Sequence, residues 1–222
     1  MTATSTEAPE VWFCPLIHPA ALVRGQWHKE PGMRLAVKRI AELLRTHEEP
    51  RYGTAEEAPP NSTLFPTYPD LVDFYQDTKA GGWDALSHDL ENAGPHIICD
   101  GMTQLRLETG EVGRSLCLRF RLKGGGLYWP TFEAHRAAVG WLWWVLADPA
   151  VAKVFHNGTV YDVPILEQMG FTVRGRLIDT MILMHTAYSE FPKSLQYCAT
   201  FWNGSPVWKH LTDETDEEEG KG

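Results

Sequence analysis

One short stretch of the sequence carries two carboxylates at a spacing that could serve metal-dependent chemistry. In SHDLENAG, residues 87–94, Asp89 and Glu91 lie two positions apart. Because side chains alternate between the two faces of a strand, both acids project from one face if this stretch is a strand. A solvated sheet edge or a surface salt bridge would also explain two such acids, since most acidic side chains are exposed.

A second stretch adds a third carboxylate. VFHNGTVYDVPIL, residues 154–166, runs from an apolar strand through a turn at His156, Asn157 and Gly158 into a helix that carries Asp162 in its first turn. An acid is favourable there on helix-dipole grounds alone. The apolar residues that follow indicate a packed helix, so we expect Asp162 to face a cleft.

Three carboxylates from a strand and a neighbouring helix could together bind hard divalent cations, because Mg²⁺ and Mn²⁺ prefer oxygen ligands. Two such ions, about 3.5–4 Å apart, stabilise both the attacking and the leaving oxygen of an in-line phosphoryl displacement. The predicted cofactor is therefore a two-ion Mg²⁺ or Mn²⁺ site on Asp89, Glu91 and Asp162. The predicted chemistry is phosphodiester hydrolysis by a metal-bound water.

The elements that must position these acids follow from the apolar pattern after residue 82. Three strands with short turns come first, and the third places Leu116, Leu118, Phe120 and Leu122 on one face, opposite Arg119 and Arg121. A helix that begins after Thr131 follows, and then strands and helices alternate. This order predicts an α/β fold with a mixed sheet and helices on its faces.

The composition divides the chain into four predicted parts. Residues 1–47 form an N-terminal appendage, and residues 48–68, rich in Pro, Glu, Ser and Thr, form a linker. Residues 69–210 form the catalytic domain. Residues 211–222 form an acidic tail.

The net charge of −9 argues against a broad basic surface for nucleic acid. Six acids lie in DETDEEE at 213–219, so the rest of the chain is only mildly acidic. A polyanionic ligand is therefore expected at a confined site where metal ions supply the positive charge. With neither a transmembrane-length apolar run nor a signal-peptide pattern, the predicted location is the cytoplasm, without a membrane partner.

The four cysteines, Cys14, Cys99, Cys117 and Cys198, are scattered and form no CxxC pair. In a cytoplasmic protein this pattern predicts reduced, buried thiols rather than disulfides or a zinc site.

Taken together, DLE, HNGTVYDVPIL and LIDTMILMH followed by FPKSLQYCATFW resemble the DEDD superfamily of 3′–5′ exonucleases. The closest resemblance is to the proofreading domain of phage-type family A DNA polymerases, over roughly residues 80–210. It implies a ribonuclease H-like, five-stranded mixed sheet flanked by helices, with three antiparallel strands first.

The same resemblance implies roles for individual residues. Asp89, Glu91 and Asp162 match the catalytic, metal-binding acids. The turn residues Asn157 and His156 match substrate-binding positions that shape the site. Asp179 matches a recurrent acid that does not bind metal, and we expect it to be structural.

The resembled family also needs a fourth acid, in a Tyr-x-x-x-Asp or His-x-x-x-x-Asp motif on a later helix. Here Tyr197 is followed four positions later by Phe201, which cannot bind metal. Asp213 and Asp216 lie in the charged run and are expected to be solvated. The sequence therefore ends before a fourth ligand, which leaves three alternatives: a fragment, a motif from a partner chain, or weak catalysis.

A weaker resemblance involves PLIHPAALVRG, residues 15–25, which is similar to the histidine-bearing loop near the C-terminus of family 4-type uracil-DNA glycosylases. This resemblance would assign a role to His18 alone, because the rest of such a glycosylase is absent from the sequence. A packed loop and helix explains the stretch as well.

The sequence thus predicts a metal-dependent 3′–5′ exonuclease that acts on single-stranded DNA 3′ ends, with a DNA polymerase domain or chain as a potential partner. The alternative is an inert DNA-binding or scaffolding fragment without the fourth acid. A glycosylase-derived damage-recognition module is a third, weaker alternative.

Overall fold

The computed structural model describes residues 61–94, 96–122 and 125–203, together with isolated positions between 24 and 45. The chain divides into two units, Ala55–Leu195 and Met1–Thr54 with Gln196–Gly222. The described elements are β1 (Ser62–Thr63), α1 (Tyr68–Ala80), β2 (Ala85–Ala93), β3 (His96–Leu105), β4 (Val112–Arg119), α2 (Phe132–Ala147), β5 (Ala152–Phe155), α3 (Asp162–Gln168), β6 (Leu177–Asp179), α4 (Thr180–Ala187) and α5 (Leu195–Asn203).

The strands form one mixed sheet in the order β1-β4-β3-β2-β5-β6. Strands β2, β3 and β4 pair antiparallel, whereas β5 pairs parallel with both β2 and β6. The predicted mixed sheet, with three antiparallel strands before the alternating helices and strands, is confirmed.

The predicted count of five strands is wrong, because the sheet has six. The additional strand, β1, lies within the stretch predicted as a linker and pairs parallel with β4, where Ser62 is opposite Ser115. An edge strand leaves unpaired N–H and C=O groups, and β1 satisfies some of those of β4. Two residues of mixed polarity carry no apolar period, so the pattern could not predict this strand.

The main core lies on one face of the sheet, beneath α1 and α2. The predicted alternation is confirmed for Leu116, Leu118 and Phe120, which are buried, but is wrong for Leu122, which lies beyond the end of β4 and is 48% exposed. Helix α2 begins as predicted after Thr131, whose hydroxyl accepts a hydrogen bond from the Ala134 amide at 3.1 Å. These contacts fix the central strands on which the candidate site depends.

Strand β5 is anchored by a fully buried lysine. The Lys153 amine donates hydrogen bonds to the carbonyl oxygens of Asp148 and Arg174, the latter at 2.9 Å. Burial lowers the pKa of Lys153 to about 8. The two carbonyl partners offset part of the free-energy cost of burying the amine. They also connect β5, the strand before the His156 turn, to the end of α2 and to the segment before β6.

Several predictions concern residues outside the described part of the chain. These include His18 and the whole glycosylase-like stretch except Arg24, Asp213 and Asp216, and most of the predicted appendage and acidic tail. The predicted boundaries at 47, 68 and 210 stay predictions. Within the described residues, none of the helices combines the length and the apolar character that a membrane crossing requires.

The turn after β5 requires a glycine at position 158. A Cβ atom there would lie 2.2 Å from Cβ of Phe155, which is itself buried in the core. We expect Gly158→Ala to lower the free energy of unfolding by about 2–3 kcal/mol, because the added carbon overpacks a closed site. Urea denaturation measures this change.

The matched control is Gly140→Ala on α2, where an added Cβ meets nothing within 4 Å. This substitution should leave stability unchanged or raise it by up to about 1 kcal/mol, since alanine is the better helix former. Equal effects of the two substitutions would contradict the packing assigned to the turn.

Candidate active site

Asp89 and Glu91 lie on one face of β2, as predicted. The strand alternates, with His88 and Leu90 buried and both acids exposed. The pairing between β2 and β3 shifts register directly after Glu91. Such a shift bends the strand locally, which is common beside active sites.

The turn that leads to Asp162 is organised by Asp179, at the end of β6. Its carboxylate accepts hydrogen bonds from the Asn157 amide at 3.0 Å and from the amide and hydroxyl of Thr159 at 3.1 and 2.7 Å. It also caps helix α4 by accepting from the Met181 amide at 3.0 Å. These hydrogen bonds support the predicted structural role of Asp179.

These hydrogen bonds decide the ionisation of Asp179. Burial alone would raise its pKa, but the bonds from Thr159 and from the backbone amides of Asn157 and Ile182 outweigh burial and hold the pKa below its usual value. The charged carboxylate can therefore keep the turn closed, with Asn157 in the left-handed conformation at φ +66°. Asparagine tolerates this conformation better than most residues.

Helix α3 begins at Asp162 and is fixed against β2. The Val163 amide donates to the carbonyl oxygen of Gly158 at 2.8 Å. The Tyr161 hydroxyl donates to Oδ1 of Asn92 at 3.0 Å, which connects the start of the helix to the end of β2. Asp162 itself is buried, with 7% of its surface exposed.

The electrostatics show that α3 and β2 bring carboxylates together. The pKa of Asp162 is raised to about 6, chiefly by burial and also by the charges of Asp89 and Asp100, against the lowering effect of backbone hydrogen bonds from its own amide and from Leu90. A raised pKa is what neighbouring like charges in a poorly solvated site produce. Asp162 and Asp89 therefore share one local field, although they are 73 positions apart in the chain.

The pKa of Asp89 is also raised by its surroundings. Asp89 is exposed as a residue, but partial burial of its carboxyl raises its pKa. The Asp100 charge raises the pKa further, and His156 lowers it. His156 therefore lies close enough to Asp89 to act on it electrostatically.

The sequence analysis missed Asp100, a carboxylate on β3 that is 1% exposed. Its Oδ2 contacts Nδ1 of His88 at 2.9 Å, and the His88 ring stacks on Phe155 with the centroids 5.1 Å apart. Oδ1 of Asp100 and Nε2 of His88 are buried without a hydrogen-bond partner within the described residues. An acid inside the otherwise apolar run HIICDGM was the signal that could have identified it.

His156 and Asn157 border the site, but their predicted substrate-binding role stays a prediction. Both ring nitrogens of His156 already contact protein oxygens, Nδ1 the Thr180 hydroxyl at 2.9 Å and Nε2 the Lys193 carbonyl at 2.7 Å. The ring therefore connects the turn to the segment before α5. Asn157 contributes its backbone amide to the Asp179 cluster.

The carboxylates fit a hard divalent cation in type and charge but do not form a complete ligand set. Asp89 and Asp162 carry oxygen atoms of the kind that such a cation prefers, and the charge of Asp89 disfavours the ionisation of Asp162. Among the described residues, however, no group of three or more His, Cys, Asp or Glu side chains is placed to hold one ion. The three-acid site that includes Glu91 therefore stays a prediction.

The position where the resembled motif would carry its fourth acid is aromatic. The rings of Tyr197 and Phe201 stack on α5 with their centroids 5.9 Å apart and an interplanar angle of 15°. A phenyl ring offers no oxygen ligand, so Phe201 cannot take the place of the fourth acid.

Comparisons with solved structures return nucleases at low similarity. RNase D of Trypanosoma brucei in complex with GMP has a TM-score of 0.48 and 13% identity, over 69% of this chain and 46% of that one. RNase D of Escherichia coli, described as an exoribonuclease, has a TM-score of 0.42 and 16% identity, over 68% of this chain and 36% of that one. NrnC of Brucella melitensis with bound Mg²⁺ has a TM-score of 0.40 and 15% identity, over 66% of this chain and 61% of that one.

This chain therefore spans less than two thirds of each of these structures. No protein-family profile and no curated protein matches it. At these scores and identities, the similarities carry no argument about activity.

The Asp162 carboxylate should make stability depend on pH in a defined direction. Its folded pKa of about 6 exceeds the reference value of 3.8, so ionisation opposes folding above pH 6, and this cost disappears as the pH falls towards 4. In EDTA at about pH 7.5, Asp162→Asn should raise the free energy of unfolding by on the order of 2–3 kcal/mol. At about pH 4 the effect should be near zero.

Urea denaturation at the two pH values measures this difference. Asp73→Asn is the control, because that carboxylate is exposed on α1 and pairs with Arg114 at 2.8 Å. An exposed ion pair contributes little, so this variant should show no comparable gain at either pH. An Asp162→Asn variant no more stable than the wild type at about pH 7.5 would contradict the electrostatics described here.

Proposed function

We propose that this chain is a metal-dependent 3′–5′ exonuclease that hydrolyses phosphodiester bonds at the 3′ ends of single-stranded DNA. The observation that carries the proposal is the shared field of Asp89 and Asp162, which come from β2 and α3. A carboxylate with a strongly perturbed pKa beside a second one is a typical mark of a functional site. The ordered motifs around both acids resemble proofreading domains, which favours DNA and a polymerase domain or chain as partner.

The proposed roles combine the shared strand face of Asp89 and Glu91 with the electrostatic coupling between Asp89 and Asp162. Asp89 and Asp162 hold the cations between β2 and α3, and Glu91 contributes from the same face of β2. When bound, Mg²⁺ or Mn²⁺ would lower the pKa of an attacking water and neutralise the charge on the leaving 3′ oxygen. Asp179 holds the turn at His156 and Asn157 in place, and this turn contacts the terminal nucleotide.

Asp100 is buried and acts on the proposed ligands Asp89 and Asp162 through its charge, without contact with the substrate. Its buried charge raises the pKa values of both Asp89 and Asp162. It thereby increases the negative potential that a divalent cation meets. The contact with His88 keeps the Asp100 carboxylate in place.

A second candidate is an inert DNA-binding or scaffolding domain with the same fold. The lack of a three-ligand group in the described part of the chain and the aromatic residue at position 201 favour this alternative. The two candidates differ in one outcome, which is whether the wild-type chain cleaves the DNA that it binds.

The test uses single-stranded DNA labelled at its 5′ end, incubated with the full chain and Mg²⁺ or Mn²⁺. We expect a ladder that shortens from the 3′ end, blocked by EDTA and by a terminal 3′ phosphorothioate. Asp89→Asn or Asp162→Asn should each lower the rate by about 100-fold or more, since a metal ligand contributes several kcal/mol to catalysis. Because E. coli RNase D is described as an exoribonuclease, RNA of the same sequence is assayed in parallel.

Asp73→Asn serves again as the control and should retain wild-type activity. DNA binding without cleavage by the wild type in either metal would favour the inert alternative. Cleavage that persists in both the Asp89→Asn and the Asp162→Asn variants would refute the proposed site, and preferential cleavage of RNA would refute the proposed substrate.

A further inference from the structure

Two adjoining hollows lie between α2 and the residues that directly follow α3. The larger hollow has a volume of about 460 Å³ and the smaller one a volume of about 140 Å³. His135 and Val139 of α2, together with Met169 and Phe171, line both hollows. Because these four residues are shared, the two hollows form one continuous groove, the α2–α3 groove.

The titratable side chains that line the α2–α3 groove are all basic. Arg136 lines the larger hollow, His96 and Arg121 line the smaller one, and His135 lines both. Neither arginine forms an ion pair with a residue that the structure describes, and Arg121 donates a hydrogen bond to the Gly125 carbonyl at 3.2 Å. In a chain of net charge −9, this local excess of positive charge favours an anionic ligand.

Aromatic rings accompany the basic side chains along the groove. Phe132 and Trp143 of α2 line the larger hollow and are 63% and 46% exposed. Phe120 and Phe171 line the smaller hollow and are buried. Exposed rings beside arginines are the combination by which proteins bind single-stranded nucleic acid, because bases stack on the rings while the cations pair with phosphates.

The α2–α3 groove lies at the same end of the sheet as the candidate active site. Strand β2 ends where β3 begins, with Ala93 paired to His96, and β4 ends there as well because it is antiparallel to β3. Strand β5 is parallel to β2, so Asp162 at the start of α3 also lies at this end. Helix α3 ends at Gln168, directly before Met169, and its seven residues extend about 10 Å. One strand of several nucleotides can therefore contact both the groove and the candidate site.

We propose that the α2–α3 groove binds the part of a single-stranded nucleic acid that precedes its 3′ end, with Arg121 and Arg136 on phosphates and Phe132 and Trp143 against bases. The inference rests on the proposed function for the position of the 3′ end between β2 and α3. Binding in the groove rests on the cavity, its arginines and its exposed rings, and does not require catalysis. The two arginines line different hollows, which suits successive phosphates of a strand better than the single phosphate of a mononucleotide.

The test measures binding without cleavage, through the fluorescence anisotropy of a 5′-labelled oligothymidylate of about twelve nucleotides titrated with the full chain in EDTA. Arg121→Gln and Arg136→Gln should each weaken the affinity about three- to tenfold. Each should also reduce the slope of log Kd against log salt concentration by about 0.7, the value for one phosphate contact on a single strand. Trp143→Ala should weaken the affinity at least about fivefold, because a base loses its stacking surface.

Matched control variants lie outside the groove. Arg176→Gln removes an exposed arginine before β6 that lines neither hollow. Trp144→Ala removes the neighbouring exposed tryptophan of α2, whose ring lies against Tyr75 with the centroids 4.6 Å apart. Both variants should retain the wild-type affinity and salt slope. Free thymidine monophosphate should compete at least about 100-fold less strongly than the unlabelled oligonucleotide, because it offers a single phosphate.

Photocrosslinking of the wild-type chain needs no variant, so it decides the question even if a substitution impairs folding. The same oligonucleotide carries one 5-iododeoxyuridine at successive positions, and mass spectrometry identifies the crosslinked peptides. We expect crosslinks to the peptides that contain Phe132, Trp143 or Met169. Crosslinks only to other parts of the chain would overturn the inference.

The binding assay can overturn the inference in three further ways. These are the absence of wild-type binding up to about 0.1 mM chain, wild-type affinity in both arginine variants, and equal competition by thymidine monophosphate. Binding that depends on the groove in a chain that cleaves no DNA would instead support the inference while contradicting the exonuclease proposal, so the two can fail separately.

Discussion

The site depends on negative charge that the fold concentrates where β2 meets α3. Asp89, Asp100 and Asp162 come from three elements, and the charge of Asp100 raises the pKa values of the other two. Desolvated like charges cost free energy unless a counter-ion compensates them. The arrangement is therefore costly in the free chain, and the proposed divalent cation would compensate that cost.

Most of the remaining local structure maintains this arrangement. Asp179 closes the turn between β5 and α3, and Lys153 fixes β5 to the end of α2. Tyr161 connects the beginning of α3 to Asn92 after β2. Each of these contacts joins β2 and α3 or supports one of them, so together they set where Asp162 lies relative to Asp89.

The sequence predicted the elements that have a strong period and the acids that share a strand face. The alternation along β4, the cap at Thr131 and the common face of Asp89 and Glu91 are local properties, and all three are present. The sequence did not predict β1, because two residues have no period. It could not place Asp100 either, because the partner of a buried acid on the next strand is set by register, which local pattern does not encode.

The cysteines illustrate the same limit of sequence reasoning. Cys99 and Cys117 showed no motif, because they come to lie on one sheet face only when β3 and β4 pair. The thiols of the described part of the chain are free, as predicted, but only half-buried, so their expected burial was wrong. They lie on the face that carries Asp89, Glu91 and Arg119 rather than on the apolar face beneath α1 and α2. The alternation along β4 already indicated this facing for Cys117, whereas the apolar run around Cys99 did not.

A crystal soaked in Mn²⁺ tests the central claim most directly, through an anomalous difference map of the region between β2 and α3. We expect a peak within about 2–2.5 Å of carboxylate oxygens of both Asp89 and Asp162. The same map shows whether Glu91 joins the coordination. A map with Mn²⁺ bound elsewhere, or with no peak between these two side chains at saturating Mn²⁺, would contradict the account.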